Sequence, residues 1–549
     1  MSILALQPGR FSSPKPRTLE VTTIPAPFRG VDTRVGLRSS PDASIYSYNL
    51  IPSEDGLRVR KGHREWQIDV NSTISDGINT ILPYDNSDSS TLTDKLFVTT
   101  REGIWDVTAD GGTPVLVLAF TDTSITAGYG PFTHYVDAAG TELMLYADSI
   151  NGLFTYDPAA GTWAQTAGIT GPVIANVRWV VVHKQRIWLI EENSTSAWYL
   201  PVSSIAGAAT EFVFGSKLPH GGALVGLFNW TVDGGAGVDD FLVAVSRAGD
   251  VLPYQGEDPA TATTWGLRGT YYIGEVPPGA EFATSTGGEL YLLSVNGVTG
   301  MGALLRGVDS LIGLNTGGSI DTDSITSIIR KEMLKSVSSL GWSIKLIPQE
   351  AGLLISAPTT GSDPDIQFFY NFAAKGWGVW RGVPVRSIGT WNIKTIIGDD
   401  TNRVMAMDVT VDNAQITPPT GKPNGDDIEF SILTTFQDLG KPGLYKRVKI
   451  IRPDFVAQIK PAHTSVARYD YNFGEAALNP VASSNGSGLW DTGFWDTAVW
   501  GSDTFNNYSP AAGSWGHGRN VAIATKGKTR TELLLVGWQV LFNSGGPMI

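Results

Sequence analysis

Residues 154–163 read FTYDPAAGTW, and residues 368–377 read FFYNFAAKGW. Phe, Tyr, the Ala-Ala pair and Trp recur in register, with seven residues from Tyr156 to Trp163 and seven from Tyr370 to Trp377. An aromatic strand that ends at Tyr, a turn of small residues and a Trp on the returning strand describe a β-hairpin. The same hairpin at two distant places in one chain points to a repeated unit, with Trp packed between neighbouring units.

The surrounding sequence has the matching rhythm. Apolar or aromatic runs start near Leu96, Leu143, Ile187, Phe241, Leu290, Leu353 and Thr395, at steps of 47, 44, 54, 49, 63 and 42 residues. Each run is followed by a Gly/Asn/Asp/Ser turn and a second apolar run. A period of about 40–50 residues with several strands per unit is the signature of a β-propeller. Seven runs predict seven blades. The longest step holds one helical pattern, in which Ile325, Ile328, Ile329 and Met333 share a face. Asp321 or Asp323 caps its start and Lys331 and Lys335 lie late, where the helix dipole favours cations. One inserted helix over 321–338 is therefore expected on the β scaffold.

A Pro/Gly/Asp-rich stretch at 415–427, QITPPTGKPNGDD, marks a boundary near residue 420. Beyond it IEFSILTTF, LYKRVKIIRPDFVAQI and ELLLVGWQVLF alternate as strands. The reading is all-β: an arm (1–75) that contributes to a platform, a propeller (76–420) and a β-sandwich-like platform domain (421–549).

Composition agrees with strands and tight turns. The 549 residues include 63 Gly and 17 Trp, with only 17% charged residues against an ordinary level of about 25%. There is no Cys, which removes disulfides, thiol nucleophiles and Cys–zinc sites. No apolar run has the length of a signal peptide or a membrane span, and a soluble protein made in a cytoplasm is expected. Residues 71–420 carry 18 Lys/Arg against 35 Asp/Glu, a net −17, whereas residues 1–70 and 421–549 are net +3 and +1. An acidic middle argues against sequence-reading nucleic-acid binding, but it suits a wall that DNA slides past.

Motifs for chemistry are not found. The six His residues form no His-x-x-x-His or Glu-x-x-His pair, and no Gly-x-Ser-x-Gly elbow occurs. Gly527-Lys528-Thr529 imitates the end of a phosphate loop, but Ala522 stands where its first Gly belongs. Asp363/Asp365 and Asp399/Asp400 lack the other ligands of a calcium loop. No catalytic residue, cofactor or metal is expected. Two groups are candidate partner-interface residues. Trp490, Phe494, Trp495 and Trp500 lie in LWDTGFWDTAVW, extended by Phe505, Tyr508 and Trp515. They either cover a core, anchor a protein interface, or stack on sugar beside Asp491 and Asp496. Lys446, Arg447 and Lys449 sit on one strand and meet an acidic partner or DNA, or simply face solvent.

The two ends carry a resemblance. Pro27-Phe28-Arg29-Gly30-Val31-Asp32, Pro41-Asp42-Ala43, Asn49-Leu50-Ile51-Pro52 and Gly56-Leu57-Arg58-Val59-Arg60-Lys61-Gly62 open the chain. Phe436-Gln437-Asp438-Leu439-Gly440-Lys441-Pro442-Gly443, Lys446-Arg447-Val448-Lys449, Gly537-Trp538-Gln539-Val540 and Gly545-Gly546 close it. In order and content these segments resemble the tail nozzle (tail tubular protein B) family of short-tailed bacteriophages. Lys61-Gly62-His63 departs from the Arg-Pro-Gly expected there. The resemblance implies a virion protein of the tail, a homo-hexameric ring below the adaptor that meets tail fibres or tail-tip proteins. Genome DNA leaves through this ring without sequence-specific binding, and no catalysis is implied. The alternative of another class is a propeller that binds or cleaves host glycans.

Overall fold

The computed structural model describes residues 19–33, 41–70, 77–85, 94–233, 238–286, 288–306, 325–336, 338–358, 366–420, 422–478 and 505–545. The described residues are nearly all β, in a six-blade β-propeller arrangement instead of the seven blades expected, with further strands from both ends of the chain beside it.

Each apolar run found in the sequence is the second strand of an antiparallel sheet: Lys95–Thr100, Glu142–Asp148, Arg186–Glu191, Val238–Ser246, Glu289–Ser294, Gly352–Ser356 and Lys394–Gly398. The reason is burial. The second strand has a neighbour on both edges and a sheet on both faces, so its side chains are apolar without alternation. Lys95–Thr100 shows this, with every residue after Lys95 buried. Six of these sheets have four or more strands, and the sheet over 283–300 has three.

Apolar cores join the sheets in a closed order. Leu82 and Phe97 meet Met144, Tyr156 and Trp163 of the next sheet. Leu145 and Leu153 then meet Val180 and Leu189. Farther round, Leu354 and Phe369 meet Ile388 and Ile397, and Ile396 and Val404 return to Ile81 and Val98. The sheet over 387–409 takes its outer strand from the arm, with Gly62–Gln67 pairing antiparallel to Val404–Val409. These residues lie before the expected arm boundary at 75. They belong to the ring because Val404–Val409 would otherwise leave an open edge.

The repeated hairpin forms as its sequence requires. Tyr156 faces Trp163, and Tyr370 faces Trp377, as cross-strand partners with rings 5.4 and 5.0 Å apart. Asp157 Oδ1 accepts the backbone N–H groups of Ala159 and Ala160, at 2.9 and 3.3 Å. Asn371 Oδ1 accepts those of Ala373 and Ala374, both at 2.9 Å. A short acceptor followed by small residues thus folds the turn. Trp163 lies edge-on to Phe97 of the preceding sheet, 5.5 Å away. Replacing Asp157 by Ala removes this acceptor, and a loss of about 1 kcal/mol in chemical denaturation is expected, with the denaturant slope unchanged.

The inserted helix is Thr326–Ser336, shorter than expected, and residues 321–324 with both proposed caps lie outside the described residues. Ile325, Ile329 and Met333 are buried in the main propeller core, while Ile328 is only partly buried. The stretch 415–427 is a closed loop, not a free linker. Gln415 and Asn424 exchange two hydrogen bonds, and Asp412 pairs with Asp426 through the backbone.

Candidate functional site

The platform is built by both ends of the chain. One sheet contains Glu20–Pro25, Leu50–Ser53, Gly56–Val59, Tyr445–Ala457, Asn506–Tyr508, Ala512–Gly513 and Leu533–Gly545. Facing it are Ser44–Tyr48, Ile428–Thr434, Ala462–Tyr469 and Val521–Thr529, which continue one sheet with the blade over 343–381. Ile24, Leu57, Val448, Ile451, Phe455, Trp538, Val540 and Phe542 share a core with Phe430, Ile432, Val521 and Ile523. Trp538 Nε1 donates across it to Thr525 Oγ1 at 2.9 Å.

Several residues of the resembling opening meet at one junction. Asn49 has a left-handed backbone, φ 60°. Its Nδ2 donates to the carbonyls of Arg381 and Glu429, at 3.1 and 2.8 Å, and its Oδ1 accepts from Arg60 Nε and Arg381 N, at 3.0 and 2.8 Å. One side chain therefore ties a blade, the platform and the arm together. Arg60, wholly buried, forms a two-pronged pair with Asp412 at 2.8 and 2.7 Å. His63 Nδ1 stands 3.1 Å from Asp412 Oδ1 without hydrogen-bond alignment, and His63 Nε2 pairs with Asn413 Oδ1 at 3.0 Å. Burial pushes the Asp412 carboxyl up, but His63 and Arg60 outweigh it and hold it down at about 2. Gly30 has φ +72°, and a Cβ there would lie 2.0 Å from the Trp377 carbonyl, so only glycine lets the arm dock on that strand. Gly62 is as close to the Val411 carbonyl, 2.0 Å from an added Cβ.

Among the described residues, the other face of the first platform sheet is exposed. Its centre is an apolar cross-strand row, Val21–Leu541–Ile450, with Val21 65% exposed. Thr23–Gln539–Arg452 lies on one side of this row, and Asn543–Arg447 on the other. Arg447 and Arg452 are exposed. Trp515, 84% exposed, follows Ala512–Gly513, which pairs with Ile450 and Ile451. Arg519 lies over the ring of Tyr445, 5.4 Å from its centroid. Apolar centre, arginines and an exposed Trp are the composition of protein interfaces.

The expected interface residues divide. Arg447 is on this face, and Lys449 is the extra residue of a bulge between Val448 and Ile450. Lys446 is not on it. Its ammonium is buried and donates to the Arg519 carbonyl at 2.7 Å, and burial lowers its pKa. It points to the core side because side chains alternate along a strand. Trp490, Phe494, Trp495 and Trp500 lie outside the described residues, as do Asp491 and Asp496. Arg452 and the Asn49–Arg60–Asp412 junction were missed in the sequence.

Where the first strands of several blades converge there is a cavity of about 270 Å³, lined by Phe132, Trp179, Phe228, Asn229 and the Glu281–Lys345 ion pair at 3.0 Å. Among the described residues no three His, Asp or Glu gather as a metal site, and no helix is long and apolar enough to cross a membrane. Gly527, Lys528 and Thr529 lie within the strand Val521–Thr529.

No family model matches the sequence, and no curated protein does. Among solved structures, the computationally designed Ika8 protein is similar at 9% identity and TM-score 0.34, over 63% of this chain and 99% of that one. YCF48 bound to D1 peptide is similar at 11% identity and TM-score 0.34, over 61% of this chain and 94% of that one. At these scores neither likeness carries an argument about function.

Proposed function

We propose that the chain is a structural subunit of the tail nozzle of a short-tailed bacteriophage, one member of a hexameric ring below the adaptor through which genome DNA is held and released. The observation that supports this reading most is spatial. Motifs that resemble the family lie at opposite ends of the sequence, yet Gly56–Val59 and Glu20–Pro25 both pair with Leu533–Gly545. Asn49 and Arg60, from the same opening, fix that platform to the propeller. Residues so placed build a rigid scaffold, which a conduit requires. The cavity of about 270 Å³ is of small-ligand size, so a path for duplex DNA has to run between subunits. In this reading the three-stranded sheet over 283–300 is a seventh blade, with the helix Thr326–Ser336 beside its outer strand. The platform is then a sandwich-like domain that meets the adaptor on one side and fibre or tip proteins on the other.

Electron microscopy of the purified chain, alone and mixed with a head-to-tail adaptor, tests the proposal. Rings that stack on the adaptor are the expected result. A chain that stays monomeric, joins no tail component and binds or cleaves a polysaccharide would refute it.

A further inference from the structure

The exposed face of the first platform sheet changes character towards the propeller. Leu57, Leu535, Phe455 and Ala457 point into the platform core, so their neighbours Arg58, Leu534 and Val456 point out of it. These three stand side by side, with Leu534 paired to Val456 on one strand and to Arg58 on another. Here the face sinks into a cavity of about 410 Å³. Leu534, Val456 and the half-exposed Phe505 give it an apolar wall. Lys61 and Thr410 border it beside the paired propeller strands Gly62–Gln67 and Val404–Val409. Small-ligand sites occupy about 300–1,000 Å³ and combine such a wall with a few polar groups.

The polar groups select the head of the ligand. Arg60 also lines the cavity, but its donors are spent on Asn49, Asp412 and the carbonyls of Lys61 and Arg381. Arg58 gives a single hydrogen bond, from Nη2 to Glu350, and Lys61 Nζ gives one, to Glu532 at 2.6 Å. Both side chains are partly exposed. A guanidinium carries five N–H donors and an ammonium three, so most of both sets is left for a ligand. Two carboxylates also border the cavity. Glu532 is held by Lys61, and Asp55 lies on the exposed turn between Ser53 and Gly56, where water and salt screen it.

We propose that this cavity binds a single-chain amphiphile with a monoanionic head, of the fatty-acid type. The hydrocarbon chain lies against Leu534, Val456 and Phe505, and the carboxylate accepts hydrogen bonds from Arg58 and Lys61. Arg58 is on a platform strand, whereas its partner Glu350 belongs to the blade over 343–381, so an occupied site holds platform and propeller together. Such a site does not require that the chain belong to a tail.

Calorimetric titration of the full chain with decanoate, kept below the concentration at which it forms micelles, tests this. One decanoate per chain is expected, with binding about fourfold tighter for each CH₂ added between octanoate and decanoate. Decylamine has the same chain and the opposite head charge, and is expected to bind about tenfold or more weakly. L534W fills the cavity, and R58Q/E350Q removes the cation without leaving a buried carboxylate unpaired. Each variant, checked by circular dichroism, is expected to bind decanoate about tenfold or more weakly. Decanoate should raise the melting temperature of the wild type and leave that of L534W unchanged. Absence of decanoate binding, equal binding of decylamine, or binding that L534W leaves intact would overturn the proposal. So would an L534W chain that loses self-association in sedimentation while decanoate has no effect on the wild type, since the cavity would then hold a second copy.

Discussion

Replacing Asp412 by Ala is expected to destabilise the protein by about 3–5 kcal/mol, because it leaves the buried Arg60 guanidinium unpaired. The same carboxylate sets an acid limit. Its pKa is about 2 in the folded chain, against about 3.9 for an unfolded Asp. A depressed folded value contributes stability above the unfolded pKa, and this is lost as pH falls from about 4 through 2. The difference corresponds to roughly 2–3 kcal/mol. Thermal melts of the wild type should therefore drop over that window. The Asp412→Ala protein should start lower and lose less on acidification. Equal melting temperatures at neutral pH would show that Arg60 finds another partner.

Removing residues 1–68 is expected to abolish cooperative folding, not merely assembly. The truncation takes away the outer strand of the blade over 387–409, the Arg60–Asp412 pair, and Ile24, Leu50 and Leu57 from the platform core. Each loss exposes a strand edge or an apolar surface that the rest of the chain cannot cover. A chain with only this arm deleted should aggregate, or be digested rapidly by a protease at a concentration that spares the full chain. A soluble truncated protein with the full-length melting profile would contradict the view that the arm closes the ring.

The propeller was legible because its signal is local. The apolar second strands and the Tyr-to-Trp hairpin each depend on residues near one another in sequence. A third form of the hairpin escaped notice because its loop is longer. Tyr254 and Trp265 stack at 5.9 Å around an Asp258-Pro259-Ala260 turn, with 11 residues between them instead of seven. Trp265 also stacks on Trp188 of the preceding sheet, 5.9 Å away, the counterpart of the edge-on contact of Trp163 with Phe97. Features formed by distant segments were not legible. Nothing near Arg60 announces Asp412, and nothing in Gly62–Gln67 tells a ring strand from an arm strand. On the platform face, strict alternation puts Arg447 and Arg452 on opposite sides. The bulge at Lys449 restores them to one side, and a bulge leaves no reliable mark in a single sequence. Lys446 was misjudged for a related reason, since a cationic run was taken as one surface when its members alternate.

The closing strand also imposes an order in time. Gln67 leaves the ribosome well before its partner Val404, which emerges some 340 residues later. At about 5–20 residues per second that interval is roughly 15–70 s. Throughout it the arm has no ring to complete, and the first blade lacks the neighbour that supplies Ile396 and Val404. Glu20–Pro25 waits longer still, for Leu533–Gly545 at the far end. Nascent chains therefore hold unpaired strands until Leu533–Gly545 has been made, and slow translation or a stalled ribosome leaves precursors that pair with one another instead.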